Sequence, residues 1–274
     1  MMFGIALLGL LGIALVVEIT DDDDDDTSTT SDEPGNPEGT REEGTEDADL
    51  LDTGGGDDTV FGGEGDDALL TGTGDDRAFG GDGGDLVLGE QGDDFLRGGA
   101  NDDFVNGGLG EDTLFGDAGN DALDGTDVID IAGIFEASRQ AAADEEELDE
   151  DDLAAFIDPS REMGEADTLN GGVGDDILIA GSNDVVSTGT GSDEVSIGDW
   201  VIPGEPVEIV DFDVEEDTIV YNFVEGTTPP NVTFGETDDG LSVVLADEEI
   251  IAALQGVDFQ DLQNANPTIL LVPF

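Results

Sequence analysis

The chain has 274 residues, 72 of them acidic and 5 basic, for a formal charge of −67, and it contains no lysine, histidine or cysteine. So acidic a chain is a poor partner for nucleic acid or anionic membrane surfaces, and it needs cations as counter-charge if it is to compact. The missing residue types exclude HExxH zinc proteases, Ser/His/Asp triads, thiol nucleophiles and disulfides, and no enzymatic activity is expected.

In chain order, Met1 to Val17 are apolar or glycine without interruption, and Glu18 ends the run. As a helix this stretch would span roughly 26 Å at about 1.5 Å per residue, near the lower limit for crossing a bilayer. Residues 1–19 are therefore expected to be an apolar N-terminal helix, a transmembrane or signal segment that inserts through residues 1–17. No Lys or Arg precedes the run and no A-x-A-like site follows it, which disfavours a plain cleaved signal peptide. From Thr20 to about Gly44 no residue is apolar, so residues 20–47 are expected to be a disordered acidic linker. The aspartate run Asp21–Asp26 within it reads as simply solvated.

A nine-residue repeat follows. In the frame G-G-x-G-x-D-x-U-x, with U apolar, copies begin at Thr53, Gly62, Thr71, Gly80, Gly89, Gly98, Gly107 and Gly116 without a slip. The sixth position is Asp58, Asp67, Asp76, Asp85, Asp94, Asp103, Asp112 and Asp121, and the eighth is Val60, Leu69, Ala78, Val87, Leu96, Val105, Leu114 and Leu123. Position four is glycine except at Asn101, the residue type that best tolerates a left-handed backbone, so the requirement there is conformational. These copies form a first block over residues 48–130, entered by the half copy Asp49–Leu51.

Residues 131–164 change texture to alanine and glutamate and read as a small helical acidic insert, with Pro159 closing its second helix. Repeats resume over 165–196 with the half copy Asp167–Leu169 and aspartates at Asp176, Asp184 and Asp193, the copy from Ala180 being one residue short. Residues 197–274 alternate apolar positions around acidic turns and are expected to form a C-terminal cap of antiparallel strands, with Trp200, Phe212, Tyr221 and Phe223 in its core.

A three-residue strand x-U-x buries only its middle side chain, and the six residues before it must turn the chain. Two copies then make one full turn, so copies n and n+2 stack in one parallel sheet, giving a narrow core of ladders such as Val60, Ala78, Leu96, Leu114 and Leu69, Val87, Val105, Leu123. Stacking also brings Asp58 near Asp76 and Asp67 near Asp85, about one strand spacing of ~4.8 Å apart, where they repel unless a cation lies between them. Calcium suits, taking about 6 to 8 oxygens and accepting backbone carbonyls among them. The expected metal-binding side chains are Asp58, Asp67, Asp76, Asp85, Asp94, Asp103, Asp112, Asp121, Asp176, Asp184 and Asp193. The expected turn backbone is Gly54, Gly56, Gly63, Gly65, Gly72, Gly74, Gly81, Gly83, Gly92, Gly99, Asn101, Gly108, Gly110, Gly172 and Gly174.

These copies resemble the nonapeptide repeat of the RTX (repeats-in-toxin, haemolysin-type) calcium-binding proteins, over residues 49–125 and again over 167–196. The resemblance implies an all-β parallel β-roll holding Ca2+, folding driven by calcium outside the cell, and export by a type I secretion system. "IVDFDVEEDTIVYNF" is also similar to segments that follow such repeats. The activities of toxin and protease relatives do not carry over, because there is no lysine to acylate and no histidine to hold zinc. The expected function is calcium binding by a secreted or surface-tethered bacterial protein, with calcium ions, secretion machinery or a surface polymer as partners. The alternative is a structural or adhesive cell-surface or matrix protein in which calcium only rigidifies a spacer.

Overall fold

The computed structural model describes residues 2–7, 15–20, 39–126, 165–224, 226–265 and 269–273. The helical insert expected over 131–164 and the linker from 21 to 38 lie outside the described residues. At the N-terminus, β1 (Met2–Leu7) and β2 (Leu15–Thr20) pair antiparallel from Met2↔Thr20 to Leu7↔Leu15, in place of the expected helix. Val16, Val17, Ile19 and Thr20 are β-branched and stiff at χ1, and Gly4 further weakens a helix, so local propensity favours strands here. No helix among the described residues is long and apolar enough to cross a membrane.

From Arg41 the chain alternates between two parallel sheets. Its strands are β3 (Arg41–Glu43), β4 (Leu50–Asp52), β5 (Thr59–Glu64), β6 (Ala68–Thr73), β7 (Arg77–Asp82), β8 (Leu86–Gln91), β9 (Phe95–Ala100), β10 (Phe104–Leu109), β11 (Thr113–Ala118) and β12 (Ala122–Asp124). After the insert come β13 (Thr168–Val173), β14 (Ile177–Ile179), β15 (Val185–Thr190), β16 (Glu194–Gly198), β17 (Val207–Ile209) and β18 (Thr218–Phe223). Odd strands build one sheet and even strands the other, each strand pairing with its neighbours two along the chain.

The register follows the repeat. Val60, Ala78, Leu96, Leu114, Leu169, Val186 and Ile209 are aligned one above another in the odd sheet. Leu51, Leu69, Val87, Val105, Leu123, Leu178, Val195 and Ile219 are aligned in the even one. Every one of these side chains is buried. They form the inward ladder expected from the eighth position, and in the even sheet the residues flanking it, among them Leu70, Leu86, Leu88 and Phe104, are buried as well. On the outer face of the odd sheet, Phe61 stacks on Phe79 with centroids 4.9 Å apart, and Phe79–Phe95 and Phe95–Phe115 continue the row.

The roll is longer than the repeat frame at both ends. Arg41–Glu43, placed by composition in the disordered linker, pairs in parallel with β5, and Glu42 takes the inward place under Val60. Parallel pairing needs only backbone, so a rung with no apolar residue still stacks on the one above it. Across the insert, β11 pairs with β13 and β12 with β14, so both blocks form one uninterrupted stack. Beyond Ser196, β17 and β18 add further parallel strands, and β22 (Ile269–Pro273) pairs in parallel with β18. Only β19 (Val232–Glu236), β20 (Ser242–Ala246) and β21 (Glu249–Leu254) form the expected antiparallel set, which joins the odd sheet through β21 against β17. Val207–Ile209 and Thr218–Val220 keep an apolar residue in core register, which is why the roll runs on into the cap. Trp200, Phe212, Tyr221 and Phe223 are buried there, with the short helix α1 (Phe259–Ala265) contributing Leu262.

Candidate metal centre

Each sixth-position aspartate stands where the turn ends and its strand begins, and stacking turns these residues into two ladders. In one, the backbone N–H groups of Thr40, Asp58, Asp76, Asp94, Asp112 and Asp167 each donate to Oδ1 of the aspartate one rung on, ending at Asp184, at 2.5–2.9 Å. In the other, Asp49, Asp67, Asp85, Asp103, Asp121, Asp176 and Asp193 donate in the same way, ending at Asp217, at 2.8–3.1 Å. The step is 18 residues in the regular rungs, 55 across the insert, 17 across the short copy and 24 at the last rung, yet the bond is kept in all of them.

One carboxylate oxygen is thereby fixed and the other left over. Oδ2 of Asp58, Asp67, Asp76, Asp85, Asp94, Asp103, Asp112, Asp121, Asp176 and Asp193 is buried with no hydrogen-bond partner. Burial, opposed by the N–H bond at Oδ1 and reinforced by neighbouring carboxylates, raises nine of them, from Asp67 to Asp193, far above the usual range. Asp76, Asp85 and Asp176 reach about 6; Asp67, Asp112, Asp121 and Asp193 about 7; Asp94 about 8; and Asp103 about 9. Leaving a buried carboxylate oxygen unmatched is costly, and here the same cost recurs rung after rung.

Asp184 differs from the other predicted site residues, because its Oδ2 accepts from Gly181 N at 2.6 Å. Asp49, Asp167 and Asp217 are further ladder members, beyond the aspartates expected from the full copies. Asp49 and Asp167 are visible in the repeat frame as half copies, and Asp217 is signalled by Asp217-Thr-Ile219. A second, outer ladder also escaped sequence reasoning. Oδ1 of Asp57, Asp66, Asp75, Asp93, Asp102 and Asp175, at the fifth position, accepts the N–H of the same position one rung on, opposite in sense to the inner ladders.

All the predicted turn glycines adopt positive φ, and so does Asn101 at 79°. Gly119, Gly189 and Gly191 hold the same turn positions with φ of 158°, 100° and 147°, and were left out although the frame marks them. Glu90 and Asp117, where glycine is replaced at the second position, take up the left-handed conformation at 73° and 76°. At the first position, a Cβ built on Gly80 would lie 2.6 Å from the Gly98 carbonyl oxygen and against Asp85 Oδ2. Those two oxygens therefore face the same small space between successive rungs.

Among the described residues, no three acidic side chains gather into a conventional cluster. The donors on offer at each turn are instead one carboxylate oxygen and the carbonyl oxygens of tightly turned backbone. Such an acceptor-only, all-oxygen set fits a hard cation of flexible coordination, and fits calcium better than magnesium, which demands near-octahedral geometry and keeps its waters.

Comparison with protein families finds the RTX calcium-binding nonapeptide repeat in four copies, matched to residues 43–78, 79–114, 97–132 and 163–195. Among solved structures, the chain is similar to the solution structure of the AlgE6R3 subunit from the Azotobacter vinelandii mannuronan C5-epimerase. The identity is 19% over 61% of this chain and 72% of that one, with a TM-score of 0.25. No curated protein matches the chain.

Proposed function

We propose that this chain, which carries the RTX calcium-binding nonapeptide repeat, is a secreted or surface-tethered protein whose β-roll folds on binding calcium. The observation that carries this proposal is the set of ten buried sixth-position aspartates whose Oδ2 has no hydrogen-bond partner. Two like charges one strand spacing apart repel by ~3 kcal/mol at an effective dielectric constant of about 20. A charge-assisted hydrogen bond returns only about 1.5–3 kcal/mol. With every rung ionised, the N–H bonds at Oδ1 do not hold the ladders together against their own charge.

When bound, calcium supplies the double positive charge that six to eight such oxygens require. The chain's own part is orientation. The Asp103 N–H fixes Asp121 Oδ1, and the same contact recurs along both ladders, so that as the rungs stack each carboxylate is held in one orientation. Turns held at positive φ by Gly83, Gly92 and their equivalents bring backbone carbonyls to the same level. Because the ionised ladders repel, metal binding then supplies much of the folding free energy. The apolar run of residues 1–17 supports an exported or tethered protein.

The test is a calcium titration of the full chain, starting in chelator and followed by circular dichroism, with magnesium at equal ionic strength as control. Cooperative gain of β signal with calcium, absent with magnesium and blunted by Asp85→Ala with Asp103→Ala, is the expected result. A chain already folded in chelator, or one that folds equally well with magnesium, overturns the proposal.

A further inference from the structure

Taking calcium binding in the turns as given, we infer that the first residue of each repeat decides whether its turn seats a cation: glycine opens the seat and threonine fills it. A Cβ built on Gly62, Gly80, Gly89, Gly116 or Gly171 would stand 2.5–2.6 Å from the carbonyl oxygen of the first-position residue one rung on. It would stand closer still to Oδ2 of the repeat's own aspartate, which is Asp67, Asp85, Asp94, Asp121 or Asp176 in turn. These are the oxygens left without hydrogen-bond partners. Glycine thus keeps clear a space faced by two acceptors, and any side chain at that position grows into it.

Four copies have a side chain there: Ala180 in the short copy, whose Asp184 Oδ2 is already taken by Gly181 N, and three threonines. Thr53 and Thr71 are fully buried at the first position of the copies that hold Asp58 and Asp76. Thr53 Oγ1 donates to the Thr71 carbonyl at 3.1 Å, and Thr71 Oγ1 to the Gly89 carbonyl at 3.0 Å. Each hydroxyl therefore engages the carbonyl that faces the open space in glycine copies, while its Cβ occupies the space itself. Thr188, at the first position of the copy with Asp193, reaches Asp217 Oδ2 at 3.1 Å and Asp211 Oδ1 at 3.3 Å. The entering rung is closed by another route, since Thr45 donates to Asp49 Oδ2 through both N, at 2.6 Å, and Oγ1, at 2.9 Å.

The threonines stand in two early copies, with Gly62 between them, and in the last repeat, whereas glycine fills the first position from Gly80 to Gly116 and again at Gly171. Open cation seats therefore lie at the glycine copies, whereas at the Thr53 and Thr71 copies the side chain takes the facing carbonyl and fills the space, although Oδ2 of Asp58 and Asp76 there has no hydrogen-bond partner.

The experiment counts tightly bound calcium ions per full-length chain by equilibrium dialysis at saturating calcium. Excess magnesium occupies the diffuse acidic surface, and circular dichroism verifies the fold. Thr71→Gly is expected to gain one ion over the parent, Thr71→Ser to leave the number unchanged, and Gly80→Thr to lose one. If Gly80→Thr fails to fold, Thr71→Gly and Thr53→Gly still carry the test. Equal ion counts in the parent and Thr71→Gly overturn the inference while leaving calcium binding intact. A parent that retains no calcium in excess magnesium overturns calcium binding itself.

Discussion

Replacing Asp94 and Asp112 by asparagine measures what the ladder costs when no cation is present. The two are successive rungs of one ladder, with Asp94 N–H donating to Asp112 Oδ1 at 2.8 Å, and both have an unpartnered Oδ2. Burial first, and then the carboxylates of Asp93 and Glu165, lift Asp112 from 3.8 to about 7 against the lowering effect of the Asp94 N–H. Each tenfold step in acidity is worth about 1.4 kcal/mol, so keeping Asp112 in the calcium-free roll near pH 8 costs about 4 kcal/mol, and Asp94, lifted to about 8, costs no less. Together these approach the whole stability of an ordinary domain, about 5–15 kcal/mol. Asparagine keeps the Oδ1 acceptor, removes the charge and places an N–H donor where Oδ2 faced a carbonyl. In urea melts at pH 8 with chelator, the Asp94→Asn, Asp112→Asn chain is expected to be several kcal/mol more stable than the parent, while its calcium midpoint moves to higher concentration. If the chelated variant is no more structured than the parent, buried charge is not what keeps the calcium-free roll apart.

The parent chain in chelator should gain β structure as the pH falls from 8 to 5. Carboxyls raised from 3.8 to between about 6 and about 9 make the folded form bind more protons, so its stability is fully present below about 4 and is lost as pH rises through that window. Calcium competes for the same oxygens, so its midpoint should worsen on acidification and its addition at pH 7 should release protons, read in a pH-stat. Gly83→Ala should lower calcium-loaded stability by about 2 kcal/mol or more in thermal melts. Gly83 sits at φ 147° and its new methyl would run into the Gly65 carbonyl. Gly84→Ala, whose nearest neighbour would be the Asp102 carbonyl at 3.1 Å, should be the milder of the two.

The interior of the roll was legible because one physical requirement recurs at one phase. Asp85, Asp103 and Asp121 are spaced by a full rung, as are Val87, Val105 and Leu123, so a period in the sequence is a contact in the fold. Asn101 confirms that the turn asks for a backbone conformation, and Glu90 and Asp117 show that even bulkier side chains are drawn into it when rungs above and below fix the path. Where the pattern fades, stacking continues for reasons a local pattern does not display. Glu42 enters the core ladder because Val60 and the β5 backbone are there to pair with, not because glutamate favours a strand.

Asp217 shows the same limit from the other end. Glycine is absent from the loop that precedes it, so the frame has nothing to match, yet its Oδ1 accepts the Asp193 N–H as every inner aspartate accepts its own predecessor's. Its Oδ2 is taken by Asp213 N at 2.8 Å and by Thr188 Oγ1, so this last aspartate closes the ladder without an unmatched oxygen. A ladder that offers unmatched oxygens only between rungs, and satisfies them at its end, localises its need for cations to the stretch where the repeat is regular. The nine-residue period therefore marks where unmatched carboxylate oxygens recur, and the end of the period marks where ordinary hydrogen bonds take over. The strand register alone tells where the fold stops.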